Sequence, residues 1–208
     1  MKKLSYLKVV RGSQRDRYLG MTAAMTQIPV PTTSLSPRLG ITRLIIMAKR
    51  IITKIGDIFC VEVDKDYKCY FQYVANDMTV LNSSVIRVFA RHYSIDYEPV
   101  FEDIVKDEVY FYAHTILRFG IQYNAWYKVG KHPDIGNPDD ITFRMYNDIG
   151  NWNRSKSYNW VIWKINQKQE FIGEMREKYA SIDLGIVLTY KDIVSKITTG
   201  SYILKHVD

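Results

Sequence analysis

The chain has 208 residues, of which 47% are hydrophobic and 25% charged, a globular composition that excludes a wholly disordered protein. No apolar run reaches the roughly 20 residues of a membrane-spanning helix, two cysteines make no disulfide framework, and four histidines leave little for a multi-ligand metal site. The net charge of +7 would point to a polyanionic partner if it were spread along the chain. Instead, eight basic residues against the single acid Asp16 place all of it in residues 1–46, and the 21 basic and 21 acidic residues that follow cancel.

Residues 1–46 form a basic tail with a composition of its own. Gln27 to Gly40 holds three of the six prolines, with Thr and Ser between them and no sustained periodicity, which reads as a linker or a disordered stretch. It is no secretory signal, because Met1-Lys-Lys is followed by Ser5, Tyr6 and Lys8 rather than an apolar core; its Arg-rich composition has something of an organellar transit peptide. Met47-Ala48-Lys49-Arg50 reads as a natural start, so a single β-rich domain is expected over 47–208.

In chain order, Ile55 to Asp64 and Tyr67 to Val74 predict a β-hairpin around a polar turn. In the implied register Phe59, Val61 and Val63 share a face with Tyr67, Cys69, Phe71 and Tyr73, and Glu62 stands opposite Lys68 as a cross-strand ion pair. Cys60 and Cys69 then point to opposite faces and do not bond, which fits a reducing cytoplasm. Ser84 to Tyr93 reads as a strand. Val109 to Phe119 predicts a longer one, with Phe111, Ala113, Leu117 and Phe119 on one face and Tyr110, Tyr112, His114 and Arg118 on the other. The pattern continues to Val129 and stops at Gly130. Further strands are expected at Ile141 to Tyr146, Tyr158 to Ile165 and Leu184 to Leu188, with a helical turn at Glu174 to Tyr179. Ile193, Val194 and Ile197 share a helical face that Gly200 ends. The sum is an α+β, β-rich fold: a curved, mostly antiparallel sheet or partial barrel with one or two short helices, preceded by the tail.

Catalytic signatures are missing from the sequence: there is no phosphate-binding Gly loop, His-Glu-x-x-His, Cys-x-x-Cys or Gly-x-Ser-x-Gly. Asp64-Lys-Asp66 lacks the distal Glu of a calcium loop and reads as a solvated turn, and Asp139-Asp140 as the start of a strand. A Cys60–His114 nucleophile pair is conceivable by residue type, yet no orienting acid is positioned by the sequence. No enzyme, metal site or cofactor is therefore expected. His132-Pro133-Asp134 matches the tripeptide of J-domains, but it follows a strand instead of joining two helices. The candidate binding residues are Tyr110, Tyr112, His114 and Arg118, whose face could stack a base, hold an anion or anchor a protein. Trp126 and Trp152 join them; the four tryptophans otherwise read as core, and Trp152, among loop residues, is the most exposed.

From Lys54 onward the chain resembles the Imm26-type immunity proteins of bacterial polymorphic toxin systems. The matching residues are Ile55-Gly-Asp-Ile-Phe59, Ile121 to Gly130 around Trp126, Tyr158-Asn-Trp-Val-Ile-Trp163, and Ile193 to Ile197 with Gly200. The resemblance spans most of 54–200 and none of 1–46. It implies a small cytoplasmic protein without catalytic residues that binds and blocks a toxin domain. The alternative is a nucleic-acid-binding β-domain that uses the basic tail for phosphates and the Tyr110/Tyr112/Arg118 face for stacking.

Overall fold

The computed structural model describes residues 51–148 and 156–204. The tail, the expected boundary at residue 46 and Trp152 lie outside them. Strands β1 (Asp57–Glu62), β2 (Tyr67–Asp77), β3 (Ser83–Phe89) and β4 (Tyr93–Ser94) come first, followed by helix α1 (Phe101–Ile104). Then come β5 (Val109–Thr115), α2 (Leu117–Gln122), β6 (Tyr127–Lys131), β7 (Thr142–Tyr146), β8 (Trp160–Lys164) and β9 (Glu170–Gly173). The chain closes with α3 (Glu177–Ala180), β10 (Asp183–Leu184), β11 (Val187–Leu188) and α4 (Tyr190–Thr199).

The β-rich α+β expectation holds, with the strands divided between two sheets. The larger runs β11-β5-β3-β2-β1-β6 with β4 beside β2; the smaller runs β10-β7-β8-β9. All pairings are antiparallel except two: β10 runs parallel to β7 and β11 parallel to β5. The first hairpin forms in the expected register, with Phe59 opposite Phe71 and Glu62 opposite Lys68. Its turn is held by Asp64, whose Oδ1 accepts the N–H groups of Asp66 and Tyr67, both at 2.8 Å. The expected Glu62–Lys68 ion pair gives way to other partners: Lys68 donates to the Ile95 carbonyl and Glu62 accepts the Tyr127 hydroxyl.

Period-two alternation gives the larger sheet two apolar faces. Phe59, Phe71, Val88, Phe111 and Ala113 bury one against Leu117, Trp126 and the Ile193/Ile197 side of α4. On the opposite face, Ile58, Cys60, Tyr70 and Phe89 pack on Tyr93 and Ile104. Further along that face, Val74 and Val85 pack on Phe143, Val161 and Trp163 of the smaller sheet. Cys60 and Cys69 therefore lie in different clusters, both free thiols. α4 begins with a reciprocal capping box between Thr189 and Asp192 and ends at Gly200, whose φ of +78° supplies the left-handed cap.

Three expected strands are corrected. The strand expected over Ser84 to Tyr93 ends at Phe89, and Tyr93 lies in the separate strand β4 beside β2. The strand expected to reach Phe119 stops at Thr115, and Leu117–Gln122 is helix. Leu117, Gly120 and Ile121 turn inward while Phe119 is exposed, a spacing of three and four that a helix satisfies; a strand would bury 117, 119 and 121 together. Gly120 permits that turn, since a Cβ there would lie 1.9 Å from the Trp126 ring. The strand expected over Leu184 to Leu188 is two short strands in different sheets, separated where the Gly185 backbone lies against Trp163.

Candidate functional site

The structure does not assemble the expected binding row. Tyr110 is exposed, Tyr112 is half-buried against the smaller sheet, and His114 is fully buried. Arg118 lies beyond the strand on α2, with its guanidinium carbon 5.2 Å from the Phe119 ring centroid. Trp126 is core: it is 2% exposed, donates from Nε1 to the Leu117 carbonyl at 3.0 Å, and meets Phe71 edge-on. His132-Pro133-Asp134 is a pinned loop. Its carbonyls accept from two buried side chains, Gln72 on His132 and Arg87 on Asp134.

His114 belongs to a polar cluster that no sequence motif marks. Its Nδ1 lies 2.9 Å from Ser83 Oγ, and its Nε2 lies 3.8 Å from Asp77 Oδ2, too far for a hydrogen bond. Asp77 accepts Trp163 Nε1–H at 2.7 Å and the backbone N–H groups of Thr79, Val80 and Asn166. A serine, a histidine and an aspartate are the residue types of an acyl-transfer triad. Here the serine meets Nδ1, the imidazole lies 4.2 Å from the Phe143 ring, and both His114 and Asp77 are 0% exposed, so no substrate atom reaches them in this arrangement. Burial holds the imidazole down at about 4, with Asp77 only partly opposing, so the ring is neutral at pH 7. The cluster ties the β2–β3 turn to the smaller sheet. The local signal was the tight turn that sets Asp77 opposite Ser83; the distant partners, Trp163 and Asn166, had none.

An open apolar groove of about 250 Å³ lies where α2, β11 and the start of α4 meet. Ile116, Phe119 and Tyr123 form one wall; Val187, Leu188 and Tyr190 form the other. Tyr123 is 60% exposed, and its ring stacks on that of Tyr190 at 4.9 Å and 15°, closing one side. β11 is also the edge strand of the larger sheet. Trp126 underpins this surface from inside, bonded to the first residue of α2 and filling the space over Gly120.

Compared with protein-family models, curated proteins and solved structures, the chain matches none.

Other concave surfaces among the described residues are polar. One, of about 550 Å³, is lined by Cys60, Lys68, Tyr70 and Tyr127, and burial raises the Cys60 thiol above its ordinary range, away from a reactive thiolate. Cys60 and His114 face the same side of the larger sheet but lie in separate clusters, with β2 and β3 between their strands. A second, of about 400 Å³, is lined by Arg144, Asp183, Lys196 and Tyr202. Each of its charges is engaged: Arg144 donates to the Ile182 carbonyl, Asp183 accepts the Tyr112 N–H, and Lys196 donates to the Gly200 carbonyl. Among the described residues, no group of three or more His, Cys, Asp or Glu side chains is placed to hold a metal ion.

Proposed function

We propose that the chain is a protein-binding domain, and specifically an immunity protein that binds and blocks a bacterial toxin. The observation that carries this reading is the open groove between α2 and β11, which leaves Ile116, Phe119, Tyr123 and Val187 exposed side by side. Contiguous exposed aromatic and aliphatic groups cost solvation free energy that a bound partner recovers, and aromatic anchors dominate most protein interfaces. A small-molecule site would need several convergent polar groups to orient its ligand, whereas these walls are almost wholly apolar. The family resemblance of residues 54–200 supplies the class of partner, and simple occlusion supplies the mechanism, with no reaction required of this chain.

Co-expression with a toxin encoded beside it should restore growth and yield a complex that co-purifies. Phe119→Glu and Tyr123→Glu should each weaken that complex by about tenfold or more, with the smaller change in melting temperature at Tyr123, which is 60% exposed against 37% for Phe119. Failure of every neighbouring effector to co-purify, or a complex indifferent to both substitutions, would sink the reading.

A further inference from the structure

Resting on that protein-binding reading, we infer that the groove receives an acidic protein surface built around a bulky apolar side chain. The frame around the apolar walls carries cationic side chains. No acidic residue occurs between Glu108 and Asp134, the stretch that contains β5, α2 and β6. None occurs between Asp183 and Asp192, the stretch that contains β11 and the first residues of α4. The exposed charges on the wall elements are both cationic. Arg118 lies over Phe119, and Lys191 adjoins Tyr190.

Asp192, the carboxylate nearest the groove along α4, is 7% exposed, and its oxygens serve the Thr189 N–H and hydroxyl and the Leu204 N–H. It offers no counter-charge to a partner at the surface. Among the described residues of α2, β11 and the first turn of α4, the exposed charges beside the apolar slot are a guanidinium and an ammonium, which favours acidic partners and disfavours basic ones, because like charges brought together at a closing interface repel.

The consequence for a toxin is specific. A cleft that binds nucleic acid is cationic, so this groove does not fit over such a cleft. It engages another, acidic face, and any blockade of a polyanion-cleaving toxin is exerted from beside its active site.

The test displays random twelve-residue peptides to the full chain, with counter-selection against the Phe119→Glu/Tyr123→Glu double variant. That variant keeps the basic tail, so peptides that bind the tail are removed. The surviving peptides should carry Asp or Glu around a Leu, Phe or Trp, and the Arg118→Glu/Lys191→Glu variant should bind them at least about tenfold more weakly. Replacing the peptides' acids by lysine should restore binding to that charge-reversed variant. Neutral or basic survivors, indifference to the reversal, or displacement of the peptides by a single-stranded oligonucleotide that needs Arg118 and Lys191 would overturn the inference. The two readings fail separately. A cognate toxin held equally by the wild type and the charge-reversed protein removes the acidic surface and leaves protein binding standing.

Discussion

His114 and Asp183 are both buried ionisable groups, and they ask opposite things of the solvent. Burial lowers His114 from 6.5 to about 4, so its contribution to stability is complete above pH 6.5 and is lost as the pH falls toward 4. Burial raises Asp183 from 3.8 to about 6, against the opposing pull of the Tyr112 N–H, Lys196 and Arg144. Its contribution is complete below 3.8 and is lost as the pH rises through 6. Each shift corresponds to about 3 kcal/mol at most, and over pH 4–6 the two oppose each other. Asp183→Asn keeps an oxygen for the Tyr112 N–H and removes one side of this balance. The variant should gain stability over the wild type at pH 7.5 and give up that margin by pH 4. Urea unfolding at four pH values checks this, and parallel profiles for the two proteins would refute it. Neither role was legible in the sequence. His114 stands at an alternate strand position where an exposed ring was equally natural, and burial came from a second sheet whose placement no local residue encodes.

Helix α2 shows why periodicity misleads at the level of an element. Val109 to Phe119 satisfies a period of two as far as Thr115, and Leu117 with Ile121 then satisfies a period of four. An apolar run that fits both is decided by tertiary space, here the gap over Gly120 that the Trp126 ring fills. Gly120→Ala should therefore cost about 1–3 kcal/mol by overpacking. Because it displaces the residue beneath α2, it should also weaken partner binding at the groove. Thermal unfolding together with a pull-down separates it from Tyr123→Glu, which spares stability. α4 was easier to read, since its apolar spacing and terminal Gly200 stand in one short stretch, although its start at Thr189 needed the capping geometry. Thr189→Ala should cost about 1 kcal/mol by removing the side-chain half of the capping box, the acceptor of the Asp192 N–H, while the Thr189 N–H keeps its bond to Asp192. Amide exchange in the first turn of α4 should quicken, and unchanged exchange there would count against the cap.

Across the whole molecule, charge and architecture are written in different places. The +7 belongs to residues 1–46, so their removal should abolish salt-sensitive retention on heparin, and retention that survives would place a polyanion site on the β-rich part. The long strands β1, β2, β3 and β8 were legible because each is a run long enough to show alternation or β-branched enrichment. The groove was not, because its walls come from residues 116–123 and 187–190, and a strand of two residues carries no period. That short segment has one more property. Asp183 pairs with Phe143 and Val187 with His114, so a six-residue segment is zipped in parallel at both ends, two residues into each sheet, the second time across 73 residues of chain. Neither pairing can form before its sheet exists, and closing such long loops is what slows folding most. Pulse-labelling exchange should find the β10 and β11 amides protected after those of the first hairpin, and simultaneous protection would contradict that order. Val187 and Leu188 are also one wall of the groove, so on the protein-binding proposal a partner that reads them would meet only chains in which this last pairing has closed.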